Sequence, residues 1–281
     1  MSGPEAVPQF QLGAQRGPSG QQGARGGPGG QGGSGAADAA RPLARTRSFA
    51  RRGDRMPDRH HAAYARLSAA HVVDVPRPAD GGTTTVDPAY RLDAEAVFGR
   101  TAPLVIEVGS GSGDAVRHGA EQRPGWDFLA FEVWRPGVAQ ALARMADAPL
   151  GNVRFVEADA AQALGSMLAP GSVHELWTFF PDPWPKHRHH KRRLVNPAFA
   201  DAVSSVLPAG GLWRLATDWA HYARQMRTVL DADERFDLVS TQRAPLRPVT
   251  RFERKGLAAG RTITDLAYRR GGPGIRHVGP V

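Results

Sequence analysis

Short apolar runs alternate with segments of helical spacing from about residue 103 onward. Five runs are typical of buried strands and lie at residues 104–108, 127–132, 153–156, 174–180 and 211–217. Helices are predicted over 138–145 and 218–230, and late strands over 237–240 and 263–268. Strands that are joined through helices require right-handed crossovers. The pattern therefore predicts an α/β fold, a doubly wound, mostly parallel Rossmann-like sheet with helices on both faces and a late antiparallel strand.

The first part of the chain has a different composition. Residues 1–40 contain twelve of the 33 glycines and almost no large apolar side chain, which predicts a disordered Gly/Gln/Ala-rich tail. We expect a basic N-terminal segment and linker over 41–102, with loosely helical spacing at 59–71. The main domain is predicted over 103–270, and a flexible C-terminus over 271–281.

Composition narrows the classes of function. The chain has no cysteine, which excludes disulfides and thiolate metal sites, and it has no apolar run long enough to cross a bilayer. No secretory signal is recognisable, so we expect a cytoplasmic protein. A formal net charge of +9 favours a polyanionic partner such as nucleic acid, although charge alone is equally compatible with simple solubility.

A glycine-rich loop follows the first strand, with the sequence EVGSGSGD at residues 107–114. The glycines Gly109, Gly111 and Gly113 allow the backbone to approach a ligand closely. Such a loop alone also occurs in nicotinamide and flavin enzymes. Glu107 stands two residues before the first glycine, where a carboxylate suits the ammonium of an amino acid better than a pyrophosphate. This arrangement favours S-adenosylmethionine over NAD.

Two further acids follow the next two strands. Glu132 is placed to accept hydrogen bonds from a ribose diol, and Asp159 to accept one from an adenine amino group. Each acid taken alone is as readily interpreted as a helix N-cap or a solvated turn. Acids at three successive strand ends favour a cofactor site.

The fourth strand is followed by a proline-rich loop and a basic run. Three prolines in FFPDPWPK (residues 179–186) hold Asp182 and Trp184 stiffly, although a structural tryptophan would look the same. The run KHRHHKRR (186–193) contains five permanent cations and suits a phosphate backbone. A nuclear-import signal is the alternative. Metal binding by the histidines is opposed by the surrounding positive charge, so we expect no metal.

Several of these motifs occur together in one known family. The run FFPDPWPKHRHHKRRLVNPAF (179–199) resembles the signature of bacterial tRNA (guanine-N7-)-methyltransferases, within the class I S-adenosylmethionine-dependent superfamily. The segments RSFARR (47–52), FEV (131–133), ATDW (216–219) and RPVTRFE (247–253) resemble its other motifs. The resemblance extends from residue 47 to residue 268. It departs at Ser110, Ser112 and Trp134, where the family commonly has other residue types.

The resemblance implies methyl transfer from S-adenosylmethionine to N7 of a tRNA guanine, the variable-loop position 46 of the tRNA convention, forming 7-methylguanosine. It implies a cofactor site formed by Glu107, Gly109, Gly111, Gly113, Glu132, Asp159 and Asp182. It implies guanine contacts from Lys186, Asp218, Thr250, Arg251, Phe252 and Glu253. It implies RNA contacts from Arg188, His189, His190, Lys191, Arg192 and Arg193.

Guanine N7 carries a lone pair and no proton, so attack requires no strong general base. We therefore expect carboxylates to position the base and to stabilise the developing positive charge, with Asp182 as the first candidate and Asp218 as the second. Three alternatives stay open: an amino-group methyltransferase, a non-catalytic RNA-binding protein and a nicotinamide dehydrogenase. The first usually has an Asp/Asn-Pro-Pro-aromatic run, which Asp182-Pro183-Trp184 lacks. We expect a monomer.

Overall fold

The computed structural model describes residues 47–49, 53–148 and 150–272, and every structural statement below concerns these residues. The predicted tail at 1–40 lies outside them, as do residues 41–46 and 50–52 of the basic segment and nearly all of the predicted flexible C-terminus.

Within the described part of the chain, seven strands form a single sheet in the order β3-β2-β1-β4-β5-β7-β6. The strands are β1 (Leu104–Val108), β2 (Asp127–Phe131), β3 (Val153–Val156), β4 (Glu175–Phe179), β5 (Leu212–Thr217), β6 (Phe236–Ser240) and β7 (Thr264–Arg270). The first five strands pair in parallel, and β7 lies antiparallel between β5 and β6. The predicted sheet and its late antiparallel strand are confirmed.

Eight α-helices accompany the sheet within the described ranges. They are α1 (Asp58–His71), α2 (Ala94–Phe98), α3 (Asp114–Gln122), α4 (Arg135–Met145), α5 (Ala160–Met167), α6 (Pro197–Val206), α7 (Ala220–Asp231) and α8 (Arg251–Ala258). A 3₁₀ helix covers His187–Arg192. The sequence did not predict α8, which begins where the Thr250 hydroxyl accepts a hydrogen bond from the Glu253 N–H, 3.3 Å away. This is one half of a capping box.

Apolar side chains cover both faces of the sheet. Along β1, Ile106 and Val108 belong to one hydrophobic cluster, whereas Val105 belongs to the other, with Phe128 and Trp177. Successive side chains of a strand point to opposite faces, so a strand that is buried throughout must be apolar on both sides. The buried central strands hold their carboxyl ends in fixed relative positions.

The segment predicted as a linker before the main domain packs onto that domain. Helix α1 lies against α4, and the Val73 N–H donates to the Phe155 carbonyl of β3 (2.8 Å). The Asp159 N–H donates to the Thr84 carbonyl (2.8 Å). Val75, Val86 and Leu92 are buried in the core. Part of the segment before residue 103 therefore belongs to the same packed core as the main domain.

Candidate active site

An open cavity of about 1090 Å³, its solvent-filled mouth included, lies at the carboxyl ends of β1 to β4. In this sheet, β1 and β4 are neighbours, and the strand order reverses between them. A crevice forms at such a switch point in doubly wound sheets. Of the predicted site residues, Glu107, Gly109, Gly111, Glu132, Asp159, Asp182, Thr250 and Phe252 border the cavity.

The glycine-rich loop after β1 is held by the acid that follows β2. Gly109 and Gly111 have φ of 76° and 54°, a left-handed conformation that favours glycine. The Gly111 N–H donates to a Glu132 carboxylate oxygen at 2.7 Å. The Trp134 N–H donates to the other oxygen of Glu132 at 2.9 Å. Glu132 therefore fixes the loop as well as bordering the cavity.

Gly113, for which the resemblance implies a cofactor contact, does not border the cavity. A Cβ at this position would lie 2.7 Å from the Ala141 Cβ of α4. Its lack of a side chain allows the start of α3 to approach α4. The G-x-G-x-G pattern thus contains two glycines that border the cavity and a third that permits a helix-packing contact.

Glu107 is a buried carboxylate with an unused hydrogen-bonding atom. Its side chain is 4% exposed and borders the cavity, and one carboxylate oxygen has no hydrogen-bond partner among the described residues. Burial raises the pKa of Glu107 to about 8, although a hydrogen bond from the Val116 backbone acts the other way. A buried acceptor without a partner is costly. A cationic ligand group such as an amino-acid ammonium fits this position.

Asp159 caps a helix and also lies at the edge of the cavity. One carboxylate oxygen accepts a hydrogen bond from the Ala161 N–H (3.1 Å), so Asp159 is the N-cap of α5. The residue also borders the cavity. The cap orients the side chain at the edge of the site.

The loop after β4 contains two strained residues. Phe180 and Trp184 have φ of 53° and 43°, and each directly precedes a proline. Left-handed backbone at a bulky residue is unusual and persists only where surrounding contacts impose it. The Phe180 N–H donates to the Ala216 carbonyl of β5 (2.7 Å), and the Arg247 guanidinium lies 5.3 Å from the centre of the Phe180 ring. Asp182 stands between the two strained positions and borders the cavity.

Two tryptophans tie the N-terminal segment to the mouth of the cavity. The indole N–H of Trp184 donates to the Ser48 carbonyl, and that of Trp134 to the Gly53 carbonyl, both at 2.9 Å. Ser48 and Phe49 consequently border the cavity. Sequence reasoning noted the segment at 47–52 only as a basic motif and did not assign these two residues to the site.

The basic run forms an exposed 3₁₀ helix, with one exception. Lys186, Arg188, Lys191 and Arg192 are exposed, and His189 and His190 are half-buried. Arg193 is only 1% exposed. Its guanidinium lies inside the protein, hydrogen-bonded to Pro183, His221 and Gln225. The resemblance implies an RNA contact from Arg193, whereas the structure places this residue in the interior.

Helix α8 presents a mixed surface beside the cavity. Phe252 borders the cavity and is 49% exposed, and Thr250 borders it at the N-cap. Lys186, Arg251, Asp218 and Glu253 do not border the cavity. Glu253, for which the resemblance implies a guanine contact, has a side chain that is 2% exposed and a carboxylate that is bound by Arg243 and Arg247.

Arg247 continues the buried ion-pair network that contains Glu253. Its guanidinium also binds the Asp265 carboxylate at 2.7 Å. Asp218 belongs to a separate ion pair, in which an oxygen of its carboxylate lies 3.1 Å from Nε of Arg261. Buried arginine–carboxylate networks of this kind fix the relative positions of the elements that carry them. Here Arg247 joins Glu253 of α8 to Asp265 of β7.

Two further findings concern metal sites and membrane-spanning helices. Among the residues described, no group of three or more His, Cys, Asp or Glu side chains is arranged to hold a metal ion. A search of the same residues found no helix that is both long and apolar enough to span a membrane.

Comparisons with known proteins agree with the motifs. A family model described as "Putative methyltransferase" matches residues 101–266. The tRNA (guanine-N(7)-)-methyltransferase of Cutibacterium acnes is 48% identical over 229 residues, which are 79% of this chain and 82% of that protein. The enzyme of the same name from Paenarthrobacter aurescens is 46% identical over 238 residues, covering 83% and 77%. That from Alkalilimnicola ehrlichii is 43% identical over 240 residues, covering 83% and 96%.

The family model covers more than half of the chain, and the relatives align over most of it. The family predicted from the motifs is thereby confirmed. The chain belongs to the bacterial tRNA (guanine-N(7)-)-methyltransferases and is an S-adenosylmethionine-dependent enzyme.

Proposed function

We propose that this enzyme methylates N7 of the variable-loop guanine at position 46 of tRNA, acting as a monomer in the cytoplasm. The observation that carries the cofactor part of the proposal is the unpartnered oxygen of Glu107 in a cavity lined by further carboxylates. The exposed cations beside that cavity support a polyanionic substrate.

Glu107 is proposed to hold the ammonium group of S-adenosylmethionine, with Gly109 and Gly111 providing close backbone approach. Glu132 and Asp159 are proposed to bind the ribose and the adenine, as their places after β2 and β3 suggest. Glu132 also holds the glycine-rich loop, and Asp159 also caps α5. These hydrogen bonds restrict the conformations of both side chains before the cofactor binds. A site that is ordered before binding loses less entropy when it binds.

S-adenosylmethionine supplies the electrophilic methyl group when it is bound. Asp182 is proposed to stabilise the positive charge that develops on the guanine ring, and either Asp182 or Asp218 to accept the guanine N1 and amino hydrogens. Because N7 has no proton to lose, neither acid is required to act as a base. Asp182 borders the cavity, whereas Asp218 does not, and this difference favours Asp182 as the catalytic residue.

The RNA-facing surface is proposed to consist of Arg188, His189, His190, Lys191 and Arg192, together with Lys186 and Arg251. Thr250 and Phe252 are proposed to contact the target base from α8. Phe252 is aromatic, exposed and beside the cavity, which suits stacking on an unstacked base. Some extrusion of the guanine from its stack is expected, because N7 must reach the methyl donor.

The product tests the proposal directly. Unmodified tRNA is incubated with the full-length enzyme and methyl-labelled S-adenosylmethionine, digested to nucleosides, and in parallel cleaved chemically at 7-methylguanosine. Label in 7-methylguanosine with cleavage in the variable loop supports the proposal. Label in a base amino group, or cleavage at another guanine, overturns the assignment of the atom or of the position.

A further inference from the structure

Arg193 is a buried cation within an otherwise exposed basic run. The guanidinium is 1% exposed, whereas its neighbour Arg192 is exposed. A buried charge that made no specific contacts would strongly destabilise the fold. The contacts of the Arg193 guanidinium therefore indicate its structural role.

The Arg193 guanidinium joins the loop after β4 to helix α7. Its Nε donates to the Pro183 carbonyl at 2.8 Å. One terminal nitrogen donates to the Gln225 side-chain oxygen at 2.7 Å and lies 2.9 Å from Nδ1 of His221. The guanidinium carbon stands 4.9 Å from the centre of the Tyr222 ring. Three of these four partners belong to α7, and the fourth directly follows Asp182.

Helix α7 closely follows Asp218, the second acid proposed to bind the substrate, along the chain. Asp218 follows β5 and lies two residues before the start of α7 at Ala220. A single side chain thus connects the element that carries Asp182 to the element that follows Asp218. The loop requires such a support, because Trp184 adopts φ of 43°, which a proline-flanked tryptophan does not keep unless its surroundings impose it.

We propose that Arg193 is a positioning residue that fixes Asp182 relative to Asp218, and that it makes no contact with RNA. This inference rests on the proposed roles of the two acids. The planar fork of arginine donates toward Pro183 and toward α7 in different directions at once, which the single ammonium of lysine cannot reproduce. Arg193→Lys keeps the charge and loses this geometry.

Single-turnover methylation at saturating tRNA and S-adenosylmethionine tests the proposal. Arg193→Lys and Arg193→Gln should both lower the rate constant by about tenfold to a hundredfold, the size of effect expected for a slightly misplaced catalytic group. The salt dependence of tRNA binding should stay that of the wild type. Gln225→Ala removes one α7 contact and should give a smaller loss of the rate constant. Arg227→Gln, which removes an exposed cation paired with Asp231 on the same helix, is the matched control and should be neutral.

The rate constant separates positioning from folding. A partly unfolded variant lowers the amplitude of the single turnover and leaves its rate constant unchanged, whereas a misplaced Asp182 lowers the rate constant. Rate constants at the wild-type value in Arg193→Lys, Arg193→Gln and Gln225→Ala would overturn the proposal, as would a reduced salt slope. If Asp182→Ala also methylates normally, the proposed role of Asp182 is what fails. If only Asp182→Ala is impaired, the inference on Arg193 alone is wrong.

Discussion

Gly256 of α8 lies directly against Asp218. A Cβ at residue 256 would be 2.9 Å from both the Asp218 Cβ and one of its carboxylate oxygens. Only glycine permits this approach of the helix to the acid. The position of the proposed substrate-binding carboxylate therefore depends on a residue that has no side chain.

Gly256→Ala should displace Asp218 and lower kcat/KM for tRNA by about tenfold or more. The control is Gly165→Ala in α5, where the nearest heavy atoms to an added Cβ are 3.9 Å away. That control should leave kinetics unchanged and stabilise the protein by about 0.5–1 kcal/mol, because alanine is the better helix former. Steady-state kinetics and urea denaturation of both variants provide the comparison. Normal kcat/KM in Gly256→Ala would show that Asp218 is not positioned by this contact.

Cofactor binding should be linked to a proton through Glu107. Burial raises its pKa to about 8, so in the ligand-free protein the carboxyl is protonated at pH 6–7 and must ionise to face an ammonium. Affinity for S-adenosylmethionine should rise by up to about tenfold per pH unit in this range, with proton release on binding. Glu107→Gln should bind more weakly and release no proton. Calorimetric titrations in buffers of different ionisation enthalpy measure the affinity and the proton release. If Glu107→Gln released as many protons as the wild type, Glu107 would be excluded as their source.

The same pKa has the opposite consequence for the stability of the ligand-free protein. The Glu107 contribution is fully present below its unfolded pKa of 4.5 and is lost as pH rises through about 8. The slope is at most about 1.4 kcal/mol per pH unit for one proton. Glu107→Gln should lack this component when the free energy of unfolding is measured across that interval. If the free energy of unfolding depended on pH in the same way in the wild type and in Glu107→Gln, the raised pKa of Glu107 would be contradicted.

Asp182→Ala should impair chemistry far more than binding. We expect the single-turnover rate constant to fall by about a hundredfold to a thousandfold, the range found when one group that stabilises transition-state charge is removed. The dissociation constant for tRNA, measured by filter binding, should change little because the exposed cations remain. A near-normal rate constant would refute the assignment.

The exposed part of the basic run should determine the salt dependence of tRNA binding. Arg188→Gln and Lys191→Gln should each reduce the slope of log K against log salt by about one unit if each side chain neutralises one phosphate. Arg117→Gln removes a cation paired with Glu121 on α3 and is the control. Binding titrations over a series of salt concentrations test this. Unchanged slopes in the first two variants would mean that the run does not face RNA.

The sheet could be predicted from sequence because its central strands are apolar on both faces and end in glycine, proline or acidic residues. The cavity acids Glu107, Glu132 and Asp159 could be located because parallel strands bring their carboxyl ends to one edge. Helix α8 was missed, since its sequence is short, charged and largely exposed. Its stability depends on the Thr250 cap and on the buried Glu253.

The environment of individual cations could not be predicted. Arg192 and Arg193 are adjacent and chemically identical, yet one is exposed and the other is buried beneath the loop. The difference depends on long-range contacts with α7, which composition and spacing do not encode. Glu253 presents the same case, because its arginine partners are recognisable only once the chain is folded.

The two tryptophans whose indoles donate hydrogen bonds at the mouth of the cavity can serve as intrinsic fluorescence probes of that region. Trp134 and Trp184 hold backbone carbonyls of the N-terminal segment, whereas Trp177 and Trp213 are fully buried in the core. Trp126 and Trp219 are half-buried and do not border the cavity. The part of a ligand-induced change in intrinsic emission that is lost when Trp134 or Trp184 is replaced should therefore arise at the mouth. Trp134→Phe and Trp184→Phe would divide that signal between the two anchoring points and show whether they respond together, without an external dye.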